Sequence, residues 1–182
     1  IGGLLGVFIY EYKRLAAPVM VVVNFLYTIP SISMLGLLLY VSGVGNTTAI
    51  IALVIYALLP MVRNTFTGLS QIDEAMCEAG IALGLTRIQR LWNIEIPLAM
   101  PTIMAGIRTM LVMTIALTGI ASFIGAGGLG VAIYRGITTN QSALTIAGSL
   151  LIALLAITVD ALFSLGERVT RISPHMKRYT II

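Results

Sequence analysis

Residues 78–97, EAGIALGLTRIQRLWNIEIP, hold two glutamates, two arginines and the single tryptophan of the chain. Elsewhere, residue types that do chemistry are thinly spread. Cys77 is the only cysteine and His175 the only histidine, so no intrachain disulfide or Cys/His metal cluster can form. Cys77 reads as a structural thiol, His175 as a solvated side chain, and no metal site is expected. Asp160 interrupts an apolar run, and an acid inside a membrane is a functional candidate by default. Pairing with a basic residue such as Arg63 or Arg108 is the expected arrangement. GAGGLG, residues 125–130, matches the letters of the dinucleotide fingerprint, which works only between a strand and a helix of a βαβ unit. Following an apolar span, it reads instead as a tight turn or re-entrant bend. No phosphate-loop lysine motif, Gly-x-Ser-x-Gly elbow or zinc-binding helix pattern occurs. No catalytic residue is assigned, and ATP hydrolysis by this chain alone is not expected.

The elements that must position these residues are apolar. Of 182 residues, 58% are hydrophobic and only 10% charged, against about a quarter charged in soluble domains. Mean hydropathy is +1.01. No Asp, Glu, Lys or Arg occurs over residues 15–62, 109–134 or 136–159. A bilayer span needs about 20 apolar residues, so these windows hold spans. The expected fold is an all-α integral membrane protein. The net charge of +4 does not point to nucleic acid, because the basic residues flank apolar runs rather than cluster.

About five spans are expected. The first ends near Tyr10 and reads as a truncated span, not a signal peptide. The second covers 18–41 with a kink at Pro30, the third 49–68 with Pro60 inside, the fourth 98–124 and the fifth 143–165. The polar stretch, about 69–97, lies between the third and fourth. This order puts ten of the eleven basic residues on or near one side, with Arg63 and Arg108 at span ends, and leaves Arg135 on the other. The positive-inside rule makes the first side, with the C-terminus, cytoplasmic. The expected domains are a membrane unit over 1–168 and a basic cytoplasmic tail over 169–182. In span one, the Gly2/Gly6 spacing allows close helix approach.

Helical spacing puts Ile72, Ala75, Met76, Ala79 and Leu83 on one face of a first short helix. Gly84 then supplies a left-handed C-terminal residue, and Thr86 caps a second helix with an apolar patch of Ile88, Leu91 and Trp92. Pro97 opens the next span, where a missing N–H is harmless. The residues alone leave open whether these faces pack on the chain's own span ends or on a partner.

The string Glu78-Ala79-Gly80, three residues, Gly84, nine residues, Ile94-Glu95-Ile96-Pro97 resembles the EAA loop of bacterial ABC-importer permeases. That pattern is Glu-Ala-Ala, three residues, Gly, nine residues, Ile, one residue, Leu-Pro. Gly80 and Ile96 depart from it without changing the spacing. YTIPSISMLG, IEIPLAMPTIMAGIR, IASFIGAGGLG and IYRGI are similar to the glycine betaine, choline and carnitine uptake branch. The resemblance implies a type I ABC-importer transmembrane domain in a bacterial cytoplasmic membrane. Its implied partners are a pair of ATPases holding ATP and Mg, a second permease, identical or paralogous, and a binding protein, separate or fused. It also implies ATPase coupling through Glu78, Ala79, Gly80, Gly84, Ile88, Leu91, Trp92, Ile94 and Pro97. Tyr27, Thr28, Pro30 and Ser31 are the candidate pathway wall. Rival cargoes are a betaine-type thiol amino acid, methionine or an oxyanion. A channel or membrane enzyme lacks the expected charged ring or convergent titratable groups.

Overall fold

The computed structural model describes the backbone of residues 1–171 and the side chains of residues 1–165. Of the expected basic tail, His175, Lys177 and Arg178 lie outside the described residues. All regular structure among the described residues is helical. Among the described residues, three helices are long and apolar enough to cross a bilayer. They are α4 (Asn46–Ser70), a continuous rod Arg87–Ile124, and α9 (Ser142–Arg171) with its apolar span Ser142–Leu165. The rod contains α6 (Arg87–Arg90) and α7 (Ile96–Ala121). α1 (Gly2–Glu11) is apolar, but ten residues rise only about 15 Å, half a hydrocarbon core.

α4 and α7 form the antiparallel centre, α1 lies along α4, and α9 lies along α7. Apolar surface drives little association in lipid, so close packing of small residues must hold helices together. A Cβ on Gly6 would come within 2.6 Å of the Thr65 Cβ, so the Gly2/Gly6 spacing does mark a helix contact. Ile9, Val23, Met34, Tyr56, Leu59 and Val62 fill the space between α1, α2 (Lys13–Thr28), α3 (Ser31–Ser42) and α4.

The second span is not a kinked helix but a broken one. α2 (Lys13–Thr28) and α3 (Ser31–Ser42) meet at 100°. Pro30 forces Ile29 out of helical geometry, to ψ 124°, because its ring crowds the preceding residue. The carbonyl freed at Ile29 accepts a 2.5 Å bond from the Tyr56 hydroxyl, and Thr28 Oγ1 donates to the Phe25 carbonyl. Inside a membrane such partners are obligatory.

At the opposite end from the polar stretch, Gly45 N–H donates to the Ile124 carbonyl and Gly127 N–H to Asn46 Oδ1. Gly125 and Gly128 have φ of +78° and +100°, which makes GAGGLG a turn. It opens α8 (Gly130–Thr138), which starts at the depth of Gly119 and climbs back to Thr145 against α9. A helix, not a strand, precedes it. The glycines therefore build a tight turn between the rod and α8.

Candidate functional site

The polar stretch folds from local signals. Asp73 accepts from Ala75 N–H at 3.0 Å and caps α5 (Glu74–Ala82). Gly84 ends it at φ +76°; its N–H donates to the Ile81 carbonyl and that of Leu85 to the Gly80 carbonyl. This double bond pattern is a Schellman motif. Thr86 and Gln89 then form a reciprocal capping box that starts α6.

The second short helix does not stand alone. After one turn of α6, Leu91–Glu95 forms a π turn that runs straight into α7, with Ile96 N–H donating to the Leu91 carbonyl five residues back. Pro97 stands in the first turn of α7, as expected, but α7 continues the π turn instead of starting a separate helix. The wider turn absorbs a proline that an unbroken α-helix would accommodate only by kinking.

The same turn builds a charge network. Glu95 is fully buried, with Arg87 Nη1 at 2.5 Å and Arg90 Nε at 2.7 Å from its Oε1. Residues 90 and 95 are five apart, a spacing that the π turn brings onto one face. Arg87 also grips Glu11 with two bonds of 2.7 and 3.0 Å and lies over the Tyr10 ring. Burial pushes the Cys77 thiol up, and the Glu95 charge adds to the effect. The network ties the polar stretch to the α1–α2 turn.

The inward face of α5 carries Cys77 and Gly80, not the expected stripe; Ala75, Met76, Ala79 and Leu83 are exposed. A Cβ on Gly80 would come within 2.9 Å of Ile94 Cδ1 and 3.2 Å of Arg90 Cγ, so the departure from alanine seats those two side chains. Glu78, Ala79, Gly84 and Pro97 are exposed and Ile94 is half-buried. The expected knobs divide. Ile88 is 70% and Trp92 62% exposed, whereas Leu91 is 8% exposed and packs with Leu69 and Ala99. Leu91 belongs to the chain's own core because it points back toward α4. Exposed Ile81 and Leu83 join Ile88 and Trp92 as apolar side chains on the polar stretch. Arg87, Arg90, Glu95 and Glu11 were missing from the sequence-derived site; no α-helical spacing pairs 90 with 95.

Of the expected pathway residues, Tyr27 reaches two adjoining cavities of about 260 and 600 Å³. Thr28 and Pro30 are exposed and Ser31 is half-buried at the break. Arg108 lies midway along α7, twelve residues in from Ile96, and forms an ion pair with Asp160 of α9, five residues before the end of that helix's apolar span. Of the two partners expected for Asp160, Arg108 is the one found.

This all-helical bundle, with a capped and bent stretch continuing into a central span, is the transmembrane domain of a type I ABC importer. The chain belongs to the family of binding-protein-dependent transport system inner membrane components, whose model matches residues 1–171. It is 44% identical over 176 residues to the choline transport system permease protein OpuBD of Bacillus subtilis, covering 96% of this chain and 77% of that one. It is 45% identical over 175 residues to the glycine betaine/carnitine/choline transport system permease protein OpuCD of the same organism, covering 96% and 76%. A chain of the MetNI methionine ABC transporter, solved in inward-facing conformations, superposes with a TM-score of 0.80 at 22% identity, covering 94% of this chain and 85% of that one. That last likeness is one of fold.

Proposed function

We propose that this chain is the permease subunit of an ATP-driven importer for quaternary-ammonium osmoprotectants: glycine betaine, carnitine or choline. The similarity to OpuBD and OpuCD over nearly the whole chain supports the cargo. The single observation that carries the mechanism is the exposed apolar set Ile81, Leu83, Ile88 and Trp92, held on a stretch anchored through Arg87, Arg90 and Glu95. An apolar surface outside the bilayer needs a covering partner. In this reading that partner is an ATPase subunit, which binds ATP and Mg, and the permease itself is not catalytic.

Two permeases, identical or paralogous, enclose the pathway, and a binding protein, separate or fused, delivers cargo from outside. ATPase closure presses on residues 78–97 and switches the pathway between inward- and outward-facing forms. The positive-inside pattern supports a cytoplasmic side for this stretch and for the C-terminus, with the tail over 169–182 on that side. The test is uptake of labelled glycine betaine, carnitine and choline by cells lacking other osmoprotectant importers and expressing the whole system. Uptake of at least one is expected. Failure with all three, in a correctly assembled complex, overturns the cargo assignment.

A further inference from the structure

We propose that Arg63, Asn24 and Asn64 form a binding site for the carboxylate of the cargo, a reading that rests on the transport function above. The site makes the permease itself favour glycine betaine and carnitine over choline. Arg63 stands inside α4, seven residues before that helix ends at Ser70. Arg87, Arg90 and Arg108 each hold a carboxylate, whereas Arg63 forms no ion pair or hydrogen bond among the described residues. Lys13, Arg14 and Arg135 share that state, but each lies within a turn of a helix end. A charge within a spanning helix is costly against lipid; it faces a bundle interior or watery cavity and marks substrate pathways.

Such a cavity is present. Arg63 lines a space of about 260 Å³ between α2, α4 and α7, which Asn24 and Tyr27 reach from α2, Asn64 from α4 and Thr109 from α7. Asn64 packs on Gly106, so this space lies beside the middle of the rod. No acidic side chain among the described residues lines it. Asp160 borders only the adjoining groove, where Arg108 holds it. Asn64 donates one N–H to the Pro60 carbonyl, and Thr109 donates its hydroxyl hydrogen to the Ala105 carbonyl. The Arg63 fork, the second Asn64 N–H and both N–H groups of Asn24 remain for a guest.

These donors select the ligand class. One guanidinium fork among neutral N–H groups matches one carboxylate, whose two oxygens it can meet in parallel. The volume lies below the ~300–1,000 Å³ of sites for drug-sized ligands, so the guest is a small molecule. Glycine betaine and carnitine each bring a carboxylate. Choline brings only a cation, which the unpaired Arg63 repels. The Tyr27 ring on the same wall offers an attractive face to the ammonium end of a guest whose carboxylate is already held.

The permease–ATPase complex, purified without binding protein in an uncharged maltoside detergent, is titrated with glycine betaine, carnitine and choline. Glycine betaine and carnitine are expected to bind at least about tenfold more tightly than choline. Arg63→Gln should abolish that preference, with ATPase co-purification reporting that the variant is assembled. Should Arg63→Gln fail to assemble, Asn24→Leu on α2 must weaken glycine betaine more than choline. No preference in the unaltered complex, a preference that survives Arg63→Gln, or equal losses with Asn24→Leu overturns the site. Arg63-dependent retention of phosphatidylglycerol that glycine betaine does not displace assigns the fork to a lipid phosphate and also overturns it. Uptake separates this site from the cargo assignment. Glycine betaine uptake unchanged in Arg63→Gln overturns the site alone. Arg63-dependent binding in a complex whose cells import none of the three cargoes upholds the site and refutes the cargo assignment.

Discussion

Glu95 has no access to water, and its charge is carried by Arg87 and Arg90. Removing one member of a buried ion pair leaves the rest uncompensated, at a cost of about 3–5 kcal/mol. Glu95→Ala should therefore lower the melting temperature of the purified complex markedly. Glu11→Ala, which breaks only the more exposed half of the network, should cost at most about 1 kcal/mol. The same carboxylate acts on Cys77. The reactive form of cysteine is the thiolate, and burial together with the Glu95 charge holds the Cys77 pKa above its ordinary value. At neutral pH the thiolate fraction is thus below that of a free cysteine. Maleimide should label Cys77 more slowly than free cysteine, the gap should close as pH rises, and Glu95→Gln should speed labelling.

The elements vary in how plainly the sequence announces them. Charge-free windows reveal α4, α7 and α9, because a bilayer leaves no other place for them. Asp73, Gly84 and Thr86 announce the ends of α5 and α6 by local hydrogen-bonding chemistry that tertiary contacts do not override. The π turn at Leu91–Glu95 is different. It shifts the register by one residue, so a reading at 3.6 residues per turn cannot pair Arg90 with Glu95. The break at Pro30 is likewise half-written: proline marks the place, but Tyr56, 27 residues from Ile29, supplies the missing hydrogen bond. Gly84 gives a test at this scale. No atom lies within 4 Å of a Cβ placed there, so any penalty comes from the φ of +76° and not from crowding. Gly84→Asn, which tolerates the left-handed region, should retain ATPase co-purification and uptake; Gly84→Val should lose both.

In the whole molecule, one stretch faces two ways. Leu91 secures it to the bundle, while Ile88 and Trp92 are left uncovered. Ile88→Glu and Trp92→Glu should abolish ATPase co-purification with little change in the thermal stability of the permease alone. Leu91→Ala should instead lower that stability, by about 2–5 kcal/mol for a buried leucine. Thermal unfolding of the permease, with and without the ATPase, separates the two effects.

The rod Arg87–Ile124 also has mechanical consequences. Its 38 residues extend about 57 Å, and near its midpoint a Cβ on Gly106 would stand 2.7 Å from the Asn64 Cβ. Close contact with α4 recurs toward both ends: a Cβ on Gly68 would stand 2.9 Å from the Thr102 Cβ, Ala49 packs with Ala121, and the Ile124 tip accepts the backbone bond from Gly45. The rod and α4 are thus clamped together as one stiff unit. Under the proposed function, a push at the Arg87 tip would move both helices as a single body.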